Sequence, residues 1–186
     1  MSSREQILSA IKGIERESKQ LPDIPEFPQT ENLQKVFKDS IQGNKGEVLS
    51  AIEFEEWIAS LGDQKIISVS SRFPNLSTIK LPSDPHQLND LNLAIIDGQF
   101  GVSENGAIWL EEENLKLRAL PFITEHLVIV LDSQKLVPSM HQAYESIGSK
   151  HSGFGLFIAG PSKTADIEQS LVIGAHGAKS LRVVLL

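Results

Sequence analysis

The 186-residue chain contains no cysteine, which excludes disulfides, thiolate metal sites, cysteine nucleophiles and iron–sulfur ligation by cysteine. It also has no apolar run approaching the roughly 20 residues needed to span a bilayer. Lysine and arginine never cluster; the richest stretch holds only Lys116 and Arg118. With a formal net charge of −7 and a pI near 5.2, neither a nucleic-acid backbone nor an anionic membrane suits this chain as its main partner. No two histidines have the i, i+4 spacing of a helical metal site, so no metal is expected. Residues 1–18 alternate in charge and lack the apolar core of a signal peptide, so a cytoplasmic location is expected. Aromatic residues are few, and Trp57 and Trp109 read as core or interface anchors.

The remaining composition, 40% hydrophobic and 22% charged, is that of one globular domain with a full core. The spacing of Ile7, Ile11 and Ile14 behind a Ser2/Glu5 or Ser3/Gln6 capping box predicts a helix over 2–18. The three prolines of 21–30 predict an extended connector, giving an N-terminal helix and connector over 1–30 and an α/β domain over 31–186. Leu33, Phe37 and Ile41 mark a second helix, with Gly43 as its terminating glycine. Strands are predicted at 47–49, 65–70, 78–81, 93–96, 127–131, 155–159 and 181–185, with a turn and strand over 101–110. Helices are predicted at 54–61, 133–147 and 164–171. Short apolar runs alternating with helices predict an α/β fold with a mostly parallel sheet covered by helices on both faces. Ligands of such sheets usually sit beyond the carboxyl ends of the strands.

Three segments leave a strand and present small, polar residues. In the first, Gly160-Pro161-Ser162-Lys163-Thr164-Ala165-Asp166-Ile167-Glu168, the glycine and proline force a turn. Thr164 caps the expected helix, whose free N–H groups would suit an anion alongside Ser162 and Lys163. The alternative is a plain capped helix start, since Asp166 and Glu168 in a first turn are what the helix dipole favours. In the second, Gly174-Ala175-His176-Gly177, flanking glycines bring an imidazole close to another element, as an acid/base group or as an ordinary turn residue. In the third, Ser103-Glu104-Asn105-Gly106, the carboxylate is a candidate base or nucleophile, or faces water from a β-turn. His126, at the start of the 127–131 strand, either reaches this region or flanks it.

GVSENGAIWL, TEHLVIVL, AGPSKTADIE and GAHG occur together in the order and spacing of one family. They resemble the LUD-domain proteins, specifically the lactate-utilisation protein C group, over roughly 93–186. The resemblance implies a NagB/RpiA/CoA-transferase-like fold and a role in oxidising L-lactate to pyruvate beside iron–sulfur partner subunits. The missing cysteines agree with electron transfer residing in those partners. Glu104, His176 and Asp166 become the catalytic candidates. Gly160, Ser162, Lys163, Thr164, Glu168, Gly106 and Gly177 become the binding candidates for a small carboxylate or phosphate ligand. Family members commonly carry A-E-T-G where this chain has S-E-N-G, a string similar to that around the catalytic glutamate of CoA transferases. Acyl-CoA transfer through Glu104 is therefore one rival expectation, and a non-catalytic assembly or regulatory subunit is another.

Overall fold

In the computed structural model, residues 2–14, 19–20, 22–23, 31–148, 153–165 and 171–186 are described. Helix α1 (Ser3–Lys12) has the Ser2/Glu5 capping box and buries none of its residues. Most of the expected connector lies outside the described residues. Helix α2 (Leu33–Gly43) turns Phe37 and Ile41 completely inward. Strand β1 (Glu47–Leu49), helix α3 (Ala51–Ser60), strand β2 (Ile66–Ser68) and strand β3 (Leu93–Asp97) follow, with 3-10 turns at Pro74–Leu76 and Pro85–Leu88. Next come strands β4 (Phe100–Val102) and β5 (Ile108–Glu111), short helices α4 (Glu112–Leu115) and α5 (Leu120–Ile123), and strand β6 (His126–Leu131). The chain continues through strand β7 (Leu136–Val137), helix α6 (Met140–Ile147) and strands β8 (Gly155–Ile158), β9 (Lys163–Ala165), β10 (Leu171–Ile173) and β11 (Ser180–Leu185).

Five strands form an all-parallel sheet in the order β1-β11-β6-β3-β2. Period-two alternation divides its side chains between two covered faces. Leu93, Ile95, Val128, Val130 and Val184 pack with Phe54, Trp57 and Ile58 of α3. Ala94, Ile96, Leu127, Ile129, Leu131 and Val183 pack with α2, α4, α5 and β5 through Phe37, Ile41, Leu115, Leu120 and Ile108. No helix among the described residues is long and apolar enough to cross a membrane.

The structure departs from sequence expectation where connections are short. Only residues 103–107 join β4 to β5, too few for a parallel crossover, so the two pair as an antiparallel hairpin. They belong to a second sheet, β7-β4-β5-β8, where the 155–159 strand also goes, antiparallel to β5. The expected 133–147 helix is interrupted by Pro138, which disfavours helical backbone at the residue before it. Ser133–Lys135 is a 3-10 turn, Leu136–Val137 is strand β7, and α6 begins only at Met140. The expected 164–171 helix is contradicted at both ends, because β9 and β10 pair antiparallel as a hairpin. Residues 78–81 form no strand; the Thr78 and Ile79 N–H groups instead both donate to Ile66 O and cover the β2 edge.

Gly43 is the last residue of α2 but not its C′ glycine. The helix ends in a Schellman arrangement, with Gly46 N–H donating to Ile41 O at 2.9 Å and Lys45 N–H to Gln42 O at 2.9 Å. Lys45 takes the left-handed position, with φ of 69°. A β-carbon is disfavoured there, so Lys45→Gly should raise stability by about 1 kcal/mol in a urea titration.

Candidate functional site

The S-E-N-G segment forms the β4–β5 turn. Asn105 Oδ1 accepts from Ala107 N–H at 2.9 Å, and Gly106 adopts φ of 70°. At that φ, with Ile41 N only 3.0 Å from where a Cβ would lie, glycine is required. Ser40 Oγ donates to Ser103 O at 2.8 Å and holds the turn against α2. Glu104 Oε1 accepts from Met140 N–H at 2.7 Å. Its carboxylate thus caps α6, whose own Ser139 makes no side-chain cap.

The other two segments bind each other. Ser162 N–H donates to Ala178 O, and Gly174 N–H donates to Ser162 O, both at 2.9 Å. Gly177 lies flat on Ser162, so that a Cβ there would come 3.1 Å from the serine Cβ. Between them and Phe122 opens a cleft of about 320 Å³, lined also by Lys163 and His176. His176 and Gly177 are shared with an adjoining cleft of about 550 Å³ that reaches Asn92, Thr124 and Glu125. There Lys179 Nζ donates to Glu125 Oε1 at 2.6 Å and, ahead of Asn92, holds that carboxyl below its usual range.

Asn44, which belongs to no recognisable motif, ties this region to the S-E-N-G turn. Its Nδ2 donates to Asn105 O at 2.7 Å, and its Oδ1 accepts from Lys163 Nζ at 3.4 Å. Gly160, at φ of 84°, is packed so closely that any Cβ would collide with Asn44 O. The structure therefore gathers Gly160, Ser162, Lys163, His176 and Gly177 at one cleft. Gly106 and Glu104 lie across Asn44, and Glu104 lines neither cleft. Thr164 is a β9 residue opposite Val172 rather than a helix cap. Asp166 and Glu168 lie outside the described residues.

The expected position at the carboxyl ends of the parallel strands is also corrected. Asn92, Glu125 and Lys179 immediately precede β3, β6 and β11, so their cleft sits at the amino edge. The carboxyl edge carries a separate cleft of about 220 Å³ lined by Arg72, Asp97, Asp132 and Lys135. Asp97 there accepts from Ser70 Oγ, Ser71 N–H and Ser71 Oγ. The signal for it was the serine pair following β2 and the aspartate closing β3.

His126 belongs to the amino edge but faces α3. It is half-buried, with Nδ1 at 2.8 Å from Ser180 Oγ. Burial, aided by Arg182 and Lys179 and opposed by Glu125, lowers its pKa below the ordinary 6.5. The unfolded chain then binds the extra proton first, so stability is complete above about pH 6.5 and declines as pH falls below it. His126→Gln should flatten this part of a stability-against-pH curve followed by chemical denaturation. In the same assay Glu104→Ala should cost about 1 kcal/mol through the lost α6 cap, and Glu104→Gln, which keeps an acceptor, distinctly less.

Sheet and clefts define an α/β protein with polar sites at the strand ends. The LUD domain family model matches residues 29–186, and the chain belongs to the LUD-domain family. Lactate utilization protein C from Bacillus pumilus is 32% identical over 90 residues, covering 45% of this chain and 38% of the relative. The protein of the same name from Geobacillus thermodenitrificans is 28% identical over 135 residues, covering 69% of this chain and 52% of the relative. The chain thus spans roughly two fifths to one half the length of these curated relatives. A crystal structure of a DUF162 family protein from Deinococcus radiodurans matches with TM-score 0.60 and 19% identity, over 83% of this chain and 96% of that one. At that identity the likeness is one of fold.

Proposed function

We propose that this chain is a component of a cytoplasmic lactate-utilisation system in which L-lactate is oxidised to pyruvate. The observation that carries the reading is the family membership together with relatives named lactate utilization protein C. A cysteine-free chain lacks the usual iron–sulfur ligands, so the electrons would pass to separate iron–sulfur partner subunits. In this reading the cleft at Ser162, Lys163 and His176 receives a small carboxylate or phosphate ligand, with Lys163 supplying positive charge and His176 a titratable group.

The exposure of α1 favours an assembly role within the same system. Ile7 and Ile11, each 57% exposed, present apolar side chains to solvent on a helix that is itself well capped, and Ile14, just beyond its end, is 59% exposed. Acyl transfer through Glu104 has less in its favour, because that carboxylate is already engaged by the α6 N-terminus.

The test is growth on L-lactate of a strain lacking the native gene. The wild-type chain should restore growth. Lys163→Gln with His176→Ala should fail if the cleft is needed for chemistry. Ile7→Asp with Ile11→Asp should fail, and lose co-purifying partners, if assembly is the role. Full restoration by both double variants would refute both forms of the proposal.

A further inference from the structure

The strands that end the five-stranded and four-stranded sheets are not protected alike. Among the described residues, β2 has its outer side covered by Thr78 and Ile79, β1 is three residues long and carries Glu47, and β7 is only two residues long. β8 has none of these protections. It lies outermost in β7-β4-β5-β8, and from Phe154 to Ala159 the chain reads FGLFIA, without a charge or a proline. All four strand residues are only half-buried, and Ala159 is exposed.

The pairing with β5 decides which backbone groups of β8 are unused. Glu112 N–H donates to Phe154 O at 2.9 Å, and from there Leu110 is opposite Leu156 and Ile108 opposite Ile158. Inter-strand bonds recur at every second residue of an antiparallel pair, so Leu156 and Ile158 bond inward to β5. Gly155 and Phe157 therefore direct their N–H and C=O groups outward, where no other strand lies. Ala159 N–H, just past the strand, has no backbone acceptor among the described residues.

The two ends of this edge differ in charge. Gly155 is opposite Glu111, and Arg118 pairs with Glu112, leaving Glu111 and Glu113 without an ion pair among the described residues. At the other end Gly160 packs on Asn44 beside Lys45, and Lys163 follows; neither lysine has an ion pair among the described residues. An antiparallel neighbour of the same sequence sets the acidic end of each copy against the basic end of the other. Centred on Leu156, such pairing joins Gly155 of one copy to Phe157 of the other, twice, through the outward N–H and C=O groups. It also sets each Phe157 ring beside the Trp109 that covers the other copy's Gly155.

We propose that β8 pairs antiparallel with β8 of a second copy, about a two-fold axis at Leu156, and joins the two four-stranded sheets into one. Pairing of this kind uses the same edge on both copies and closes at two. The cleft of about 320 Å³ begins at this strand, its wall running from Phe157 to Lys163, so the second copy's Phe154 end stands at its rim. Neither the edge nor its charges depend on the lactate reading, which growth on lactate tests separately.

Sedimentation equilibrium of the full chain across the micromolar range should give twice the 20.5 kDa chain mass. Ala159→Pro removes an outward N–H and no backbone bond within the chain, and should weaken the dimer roughly tenfold or more. Amide exchange followed by NMR needs no variant, so the test survives if Ala159→Pro fails to fold. Gly155 and Phe157 should be protected in the dimer and open on dilution, while Leu156 and Ile158 stay protected in both states. A monomer at every concentration would overturn the proposal. So would a dimer whose Gly155 and Phe157 amides exchange freely, or one that a folded Ala159→Pro chain forms as tightly.

Discussion

The register of β6 between β3 and β11 is the constraint on which the rest of the molecule depends. β6 is buried on both faces, so Leu127, Ile129 and Leu131 must meet one layer while Val128 and Val130 meet the other. A slip of one residue would exchange the two sets and fail both cores at once. That same register places Leu93, His126 and Ser180 side by side. Core packing and amino-edge chemistry are thus consequences of one alignment. A hydroxyl and an imidazole, each polar and each at a strand start, acquire their relationship from apolar residues further along.

Much of the fold was legible because buried parallel strands advertise themselves as short aliphatic runs. Leu93–Asp97 and His126–Leu131 needed nothing but hydrophobicity to be found, and β11 was nearly as clear. What misled was local polarity pattern taken without chain length. The 155–159 strand is as apolar as its neighbours, but its place in a second, antiparallel sheet follows from its pairing with β5, which composition does not encode. Pro138 did carry the correct message about 133–147, and its effect on the preceding residue outweighed the helical spacing around it. For Lys163–Ala165, the acids downstream suggested a helix start, yet pairing with Leu171–Ile173 decided the outcome.

The candidate site was legible as a neighbourhood more than as a set of roles. Ser162, Lys163, His176 and Gly177 do converge, because the backbone of Ser162 is pinned to both Gly174 and Ala178. Glu104 reads from the sequence as either a reactive carboxylate or a water-facing turn residue, and the partner that occupies it is a helix N-terminus 36 positions later in the chain. Asn44 and Arg182 went unnoticed for the same reason: their importance lies in long-range bonds. Neither residue belongs to a motif, and each connects segments the sequence keeps far apart.

The close of α2 is where two loops distant in sequence press on one piece of backbone. Gly106 bears on Ser40 and Ile41, and Gly160 on Asn44, so bulk added at either glycine would displace the same helical end. The two displacements share a single relief route. Once one substitution has moved that end, the second meets a structure already shifted, and their effects are coupled rather than additive. The hairpin turn and the cleft loop should therefore vary together through evolution, with the last turn of α2 as the silent third party to every such exchange.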